Sequence, residues 1–541
     1  MYVYNKVTKS PNWWDAPPQY CCVDLLSFSD PLFQQIGSTF IQLQTKYFGT
    51  AHIYQADTFN EMRPPNGTSA YLKKASSEVY AAMTATDPQA IWLMQGWLFQ
   101  DTGFWTNTRI KAYLSGVPNT GMIILDLYSD EAPVYNRTES YFGKPFVWNT
   151  LHNFGGTDGL MGDLPSISEG IPGALVFPNS TVMGVGITME GIWQNYIVYD
   201  LTLHMAWNSK VVNLTNFVSR YAMRRYGLPH SVLVTSPAMR DNVTNYILNG
   251  WRTLGSTVYT IMTVGHTLGI PKSVVEITPT LDLVKPARRR ALFNYWMDGH
   301  GDNTSNPLFA SNMLRETPVQ DTWTTTLLYN PTVIHVAWRD FVRVGDTLSN
   351  ISKFTYDLVD ITRQAMSDLA LIHYLNMTSY YKNGDADGVY NEGQTILELI
   401  DDMDDILNTH VNWLLGPWIA SARGQSNNSS QKDLWEFNAR NQITLWGPQG
   451  QISDYASKMW GGLVRSYYRP RWKMFVDMLV ESVDNGTPWN ETIYIDRVFN
   501  EFELPWQYSH DTFPVVPVNN TINLSCQLYL KWNFFGDTRC T

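Results

Sequence analysis

The 541-residue sequence predicts an α/β half followed by an all-α half. Three observations predict it. Short apolar runs alternate with amphipathic stretches up to about residue 205, the alternation stops near Leu201, and beyond it apolar residues recur at steps of three and four. A chain this long also exceeds the roughly 250–300 residues at which a single core stops growing, so two or more domains are expected.

In the first half, Ala51–Phe59, Ala90–Phe99, Gly121–Tyr128, Pro145–His152 and Thr181–Thr188 are rich in Val, Ile, Leu and aromatic residues and read as strands. Helix candidates lie at Pro31–Phe48, Ser69–Ala85, Thr106–Gly116 and, more loosely, around Pro165–Leu175. Strand followed by helix, repeated, means a parallel sheet covered by helices. Residues 1–205 therefore read as part of a (β/α)8 TIM-type barrel with about five strands present, against eight in a complete one. Either the remaining strands precede Met1 in a longer parent protein, or the sheet is open.

Residues 206–541 read as an all-α domain. Leu358, Ile361, Ala365, Leu369 and Ile372 share one helix face, and Ile396, Leu399, Met403, Ile406 and Leu407 repeat the pattern with Asp401, Asp402, Asp404 and Asp405 mostly opposite. That aspartate group reads as a solvated face, because the ligand spacing of a calcium loop is missing. The stretch 269–330, with Pro271, Pro279, Pro286, Pro307 and Pro318, reads as a long irregular insertion.

The formal charge is −11 and no basic stripe is present, so the footprint that neutralises phosphates is missing and nucleic acid is not an expected partner. No apolar run is long enough to span a bilayer, and a membrane partner is not expected either. Aromatic residues make up 14% of the chain, which fits sugar stacking, although filling cores explains most of them. Asn-x-Ser/Thr acceptors at Asn66, Asn136, Asn179, Asn213, Asn242, Asn350, Asn376, Asn485, Asn490 and Asn523 point to a secretory route. Cys526 and Cys540 could close a short loop in an oxidising compartment, whereas a bridge between the adjacent Cys21 and Cys22 would be strained.

Two glutamates carry the chemistry. Glu61 and Glu190 each fall just past a strand, where a barrel of this kind keeps its reactive side chains. Splitting a glycosidic bond needs one carboxyl to protonate the leaving oxygen and another, across the sugar, to attack or to activate water. Asn60 precedes the first glutamate, and Trp97, Trp148, His152 and Asn153 stand at neighbouring strand ends, so all five are candidate substrate contacts. Gly184-Val-Gly186 is only a weak echo of a dinucleotide loop, and neither a Gly-x-Ser-x-Gly elbow nor a His-Glu-x-x-His pair occurs. No metal and no cofactor is expected.

With those residues in hand the chain resembles the animal alpha-N-acetylglucosaminidase family. The resemblance is carried by Gly49-Thr-Ala-His-Ile-Tyr through Glu61-Met-Arg-Pro-Pro, by Trp92-Leu-Met-Gln-Gly-Trp97-Leu-Phe-Gln, by Leu151-His-Asn-Phe-Gly-Gly156, by Pro178-Asn-Ser-Thr and by Glu190-Gly-Ile-Trp-Gln-Asn195. It continues through Asp360-Ile-Thr-Arg-Gln-Ala365, Ile443-Thr-Leu-Trp-Gly447 and Tyr467-Tyr-Arg-Pro-Arg-Trp472, and adds Trp446 to the candidate substrate contacts. It implies a lysosomal or secreted exo-hydrolase that removes terminal alpha-linked N-acetylglucosamine from heparan sulfate with retention, with Glu61 as general acid/base and Glu190 as nucleophile. It also implies a homo-oligomer, and an N-terminal domain and first barrel strands that come before the point where this chain begins. The rival expectation is a truncated, inactive glycan-binding or scaffold product of the same family.

Overall fold

The computed structural model describes residues 7–10, 22, 24–60, 62–191, 193–228, 242–261, 272–281, 327–447, 449–450 and 452–540. Five strands form one parallel sheet in chain order: β1 (Ile53–Gln55), β2 (Ile91–Gln95), β3 (Met122–Asp126), β4 (Phe146–Thr150) and β5 (Val182–Ile187). Helices α1 (Pro31–Phe48), α2 (Ser69–Thr84), α3 (Asn107–Leu114), α4 (Leu164–Val176) and α5 (Tyr196–Met205) accompany them. Each expected strand is present but shorter. The run after β2 leaves the sheet as a 3-10 turn over Trp97–Gln100, because Phe99 buries its ring against Trp105, Tyr113 and Tyr141 instead of extending the ladder.

Strand periodicity sorts the sheet faces. Trp92, Met94, Ile124, Phe146 and Trp148 are buried toward the helices, whereas Leu93, Leu125 and Val147 on the other face are only half-buried. At the β1 end, α1 packs closely on α2 through Gly37, where an added Cβ would stand 2.8 Å from that of Ala82. Its other face leaves Ile36, Phe40, Leu43 and Tyr47 exposed.

The second half is helical, with α6 (Leu214–Tyr226), α7 (Asn242–Thr257), α8 (Thr332–Val342), α9 (Ser352–Lys382), α10 (Ala386–Leu407), α11 (Leu415–Arg423), α12 (Ser429–Gln442), α13 (Arg469–Asp484) and α14 (Thr521–Trp532) as its main elements. The apolar faces expected on α9 and α10 form its core: Leu358, Ile361, Ala365, Leu369, Ile396, Leu399, Met403, Ile406 and Leu407 are all buried. Three of the four α10 aspartates stay toward the surface and pair with Arg465, Arg469 or Lys531. Asp404 differs, being buried and accepting the backbone N–H groups of Gly462 at 2.7 Å and Arg465 at 3.1 Å. Cys526 and Cys540 form a disulfide with a Cα separation of 6.0 Å. Cys21 lies outside the described residues.

Of the stretch 269–330, residues 272–281 and 327–330 are described. Residues 272–281 form a strap without helix or strand, and it is almost wholly buried between the two halves. Arg471 of α13 holds it there, donating to the Glu276 carbonyl at 2.8 Å, the Thr278 hydroxyl at 3.0 Å and the Asp454 carboxylate at 2.8 Å.

Candidate active site

β4 and β5 are neighbours, so the segments leaving their C-terminal ends lie side by side. After β4 the chain turns at His152, whose φ is 64°. The backbone N–H groups of Leu151 and His152 both donate to the Asp130 carboxylate at 3.0 Å. Burial pushes that carboxyl up to about 7 against the pull of these same hydrogen bonds. Phe154 then packs against Trp97 and Tyr128, with ring centroids 5.8 and 5.6 Å apart.

Gly155 and Gly156 follow, both left-handed at φ 65° and 67°. A side chain is excluded at this point for a second reason. A Cβ on Gly155 would stand 2.2 Å from the Tyr455 carbonyl oxygen, and one on Gly191 would stand 2.6 Å from the Gly156 Cα. The glycine pair is thus pressed between the segment after β5 and a loop of the helical half.

That close approach places three groups together. Glu190 is exposed, and its Oε2 accepts the Gly155 N–H at 2.5 Å and the Tyr455 hydroxyl at 2.5 Å. The Lys458 ammonium donates to the Gly155 carbonyl and, at 2.9 Å, to the Ala456 carbonyl. Burial lowers the Lys458 pKa, and the charges of Asp158, Glu276 and Glu190 oppose that shift.

Tyr455 is itself held from several sides. Its carbonyl accepts from the Lys272 ammonium at 3.0 Å, which also donates to Thr157 at 3.0 Å and Ser457 at 2.8 Å. Its ring meets Trp446 edge-on at 5.2 Å. Trp446 has a φ of 41°, a conformation costly for a bulky residue, and Asn441 maintains it by accepting the Trp446 N–H at 2.7 Å and bracketing Gly447 with its side chain. The Trp446 bond runs to the Asn441 carbonyl.

The structure brings Glu190, Trp97 and Trp446 to one region, with His152 and Asn153 in the wall behind. Asn60 is exposed at the end of the segment after β1, and Glu61 lies outside the described residues. Arg63 is fixed to the buried Asp101 by hydrogen bonds of 2.9 and 3.1 Å. His152 is fully buried, and burial drives its pKa down to about 3, so it stays neutral and is no proton donor at mildly acidic pH. Asn153, also fully buried, donates to the Tyr199 hydroxyl at 2.9 Å, so neither it nor His152 offers a surface to a sugar and both are corrected as substrate contacts.

Trp148 needs correcting as a substrate contact. It sits at 0% exposure on the helix-covered face of β4, so close to α4 that a Cβ on Gly170 would be 2.9 Å from its ring, and it offers no surface to a sugar. Tyr455, Gly155 and Lys458 were not among the expected residues. The paired glycines after a strand were the one local signal for Gly155.

Comparison with known proteins gives two family matches. Residues 1–209 match the alpha-N-acetylglucosaminidase tim-barrel domain and residues 217–531 match the alpha-N-acetylglucosaminidase C-terminal domain. Human alpha-N-acetylglucosaminidase is 36% identical over 529 residues, which are 97% of this chain and 64% of that protein. Among solved structures, a family 89 glycoside hydrolase from Clostridium perfringens in complex with 2-acetamido-1,2-dideoxynojirmycin superposes with a TM-score of 0.78 at 23% identity, covering 98% of this chain and 54% of that one. A variant of the Clostridium perfringens enzyme with two Glu-to-Gln substitutions, in complex with its substrate GlcNAc-alpha-1,4-galactose, gives 0.77 at 22% identity with the same coverage. These two establish likeness of fold. The chain thus spans between half and two thirds of the length of the relatives it matches. Together the two family matches account for nearly all of the sequence, and the chain belongs to the alpha-N-acetylglucosaminidase family.

Proposed function

We propose that the chain is a retaining exo-glycoside hydrolase that removes terminal alpha-linked N-acetylglucosamine from heparan sulfate-type glycans, with Glu190 as nucleophile and Glu61 as general acid/base. The observation that carries this reading is the state of Glu190. It is an exposed carboxylate at a strand end, oriented by a backbone N–H and a tyrosine hydroxyl, and bordered by Trp97 and Trp446 through Phe154 and Tyr455. A nucleophile must be ionised, held in one orientation and open toward its substrate, and Glu190 is both held and open. Glu61 must then lie about 5–5.5 Å from it, the separation that retention demands. The division of labour puts the carboxylates in residues 1–205 and the tyrosine that steadies one of them in residues 206–541.

The same reading covers location. All ten Asn-x-Ser/Thr acceptors named above have exposed asparagines, as a glycoprotein bound for the lysosome or for secretion requires. No helix of the described residues is long and apolar enough to cross a membrane.

The test is kinetic. Glu190→Gln should abolish turnover of an aryl alpha-N-acetylglucosaminide, and azide should restore part of it in Glu190→Ala by standing in for the missing carboxylate. Undiminished turnover in either variant, without azide, rejects the assignment. A second reading, glycan binding without hydrolysis, is favoured by the sheet, in which five strands are paired among the described residues and both outer strands lack a further partner there. Calorimetric binding of N-acetylglucosamine by a chain that cleaves nothing would support it.

A further inference from the structure

Two donors meet on one oxygen of Glu190. The Gly155 N–H and the Tyr455 hydroxyl both reach Oε2, and they come from opposite halves of the chain. Among the described residues nothing hydrogen-bonds Oε1. An oxygen that accepts two hydrogen bonds has its lone pairs engaged, so attack on a sugar falls to Oε1 and leaves Oε2 as the atom the protein holds. The hold is built: Lys272 and Trp446 fix Tyr455, while the glycine pair fixes the other donor.

We propose that Tyr455 is a positioning residue for Glu190 that acts chiefly in the second half of a double displacement, gripping Oε2 while the carboxylate departs from the sugar. The inference rests on the nucleophilic role proposed above for Glu190. In the first step an electron pair of Oε1 forms the bond to the anomeric carbon. The glycosidic bond breaks, and its electron pair leaves on the aglycone oxygen, which takes the proton of the general acid. Charge drains from the carboxylate as this happens, so a donor on Oε2 favours the starting state over the transition state.

In the second step water bonds to the anomeric carbon and gives its proton to the general base. The bond from Oε1 to that carbon breaks, and its electron pair returns to the carboxylate. Negative charge then regrows and spreads onto Oε2, where both donors are already in place. Removing the tyrosine hydroxyl therefore slows breakdown of the glycosyl-enzyme more than its formation.

The experiment compares the full chain with Tyr455→Phe on a dinitrophenyl alpha-N-acetylglucosaminide. With so good a leaving group, kcat reports breakdown of the intermediate and kcat/KM reports its formation. The expected result is a kcat roughly 10- to 100-fold lower, in line with loss of one hydrogen bond to a charged group, and a KM that falls with it. kcat/KM should stay within about threefold, and a sugar adduct should build up on Glu190 in mass spectra of the intact protein. Phenylalanine keeps the ring that packs on Trp446, so the thermal midpoint should hold.

A merely structural role would lower kcat/KM as much as kcat and leave no adduct. That outcome overturns the proposal, and so does an unchanged kcat. Absence of turnover by the unaltered chain, or full activity of Glu190→Gln, instead overturns the reading of Glu190 on which it rests.

Discussion

Replacing Gly155 by alanine tests the close approach of the two halves at its narrowest point. Two costs add. A non-glycine residue at φ 65° pays about 1–2 kcal/mol for the left-handed backbone. The new Cβ also has to displace backbone, since it would stand 2.2 Å from the Tyr455 carbonyl oxygen, 2.9 Å from its carbonyl carbon and 3.0 Å from the Ala456 Cα. Overpacking of this kind costs about 1–3 kcal/mol, which makes the whole about 2–5 kcal/mol. Gly227→Ala isolates the first cost, because Gly227 has a φ of 69° but nothing within 4 Å of its would-be Cβ. Urea unfolding of both variants beside the unaltered chain gives the difference directly, and Gly155→Ala should lie lower by about 1–3 kcal/mol. It should also lose turnover, because moving the Tyr455 backbone withdraws one donor from Glu190 and the strained turn disturbs the other. Equal stability of the two variants would refute the close-approach argument.

Two further outcomes are expected. Arg471→Met should cost about 3–5 kcal/mol in the same unfolding measurement, because it removes the buried guanidinium that neutralises the Asp454 and Glu503 carboxylates and loosens the 272–281 strap. Asp368→Asn should alter the pH dependence of stability. Burial pushes the Asp368 carboxyl up to about 7, above its unfolded value near 3.9, so its contribution to stability is complete below about pH 4 and is lost as pH rises through 7. The asparagine variant cannot ionise, so thermal midpoints measured between pH 4 and 8 should rise relative to the unaltered chain as pH increases; a constant offset would show that Asp368 is already ionised in the folded state.

The strands were legible because short runs rich in Val, Ile, Leu and aromatic residues read as strands, and all five runs marked in the sequence carry one. Their ends were less so. Trp97–Gln100 is as apolar as the strand before it, and only the ring cluster around Phe99 shows why the ladder stops. The helical half was legible from its three-and-four spacing, with Asp404 the exception, since its backbone partners lie more than fifty residues further along.

At the candidate site, Glu190 could be found from its position after a strand. Strand parity groups Trp148 with Phe146, on the face that the helices cover, and so away from any substrate. Tyr455 and Lys458 left no local trace at all. They reach Glu190 and Gly155 across about 265 and 303 residues of intervening chain, and no spacing rule operates over such a distance.

The grip on Glu190 by two remote segments has a consequence for biosynthesis. A chain made from its N-terminus presents Glu190 long before Tyr455 has left the ribosome, and the carboxylate at that stage has no hydroxyl to steady it. On the proposed reading, Glu190 therefore acquires its second donor only when the segment that carries Tyr455 docks onto the first half.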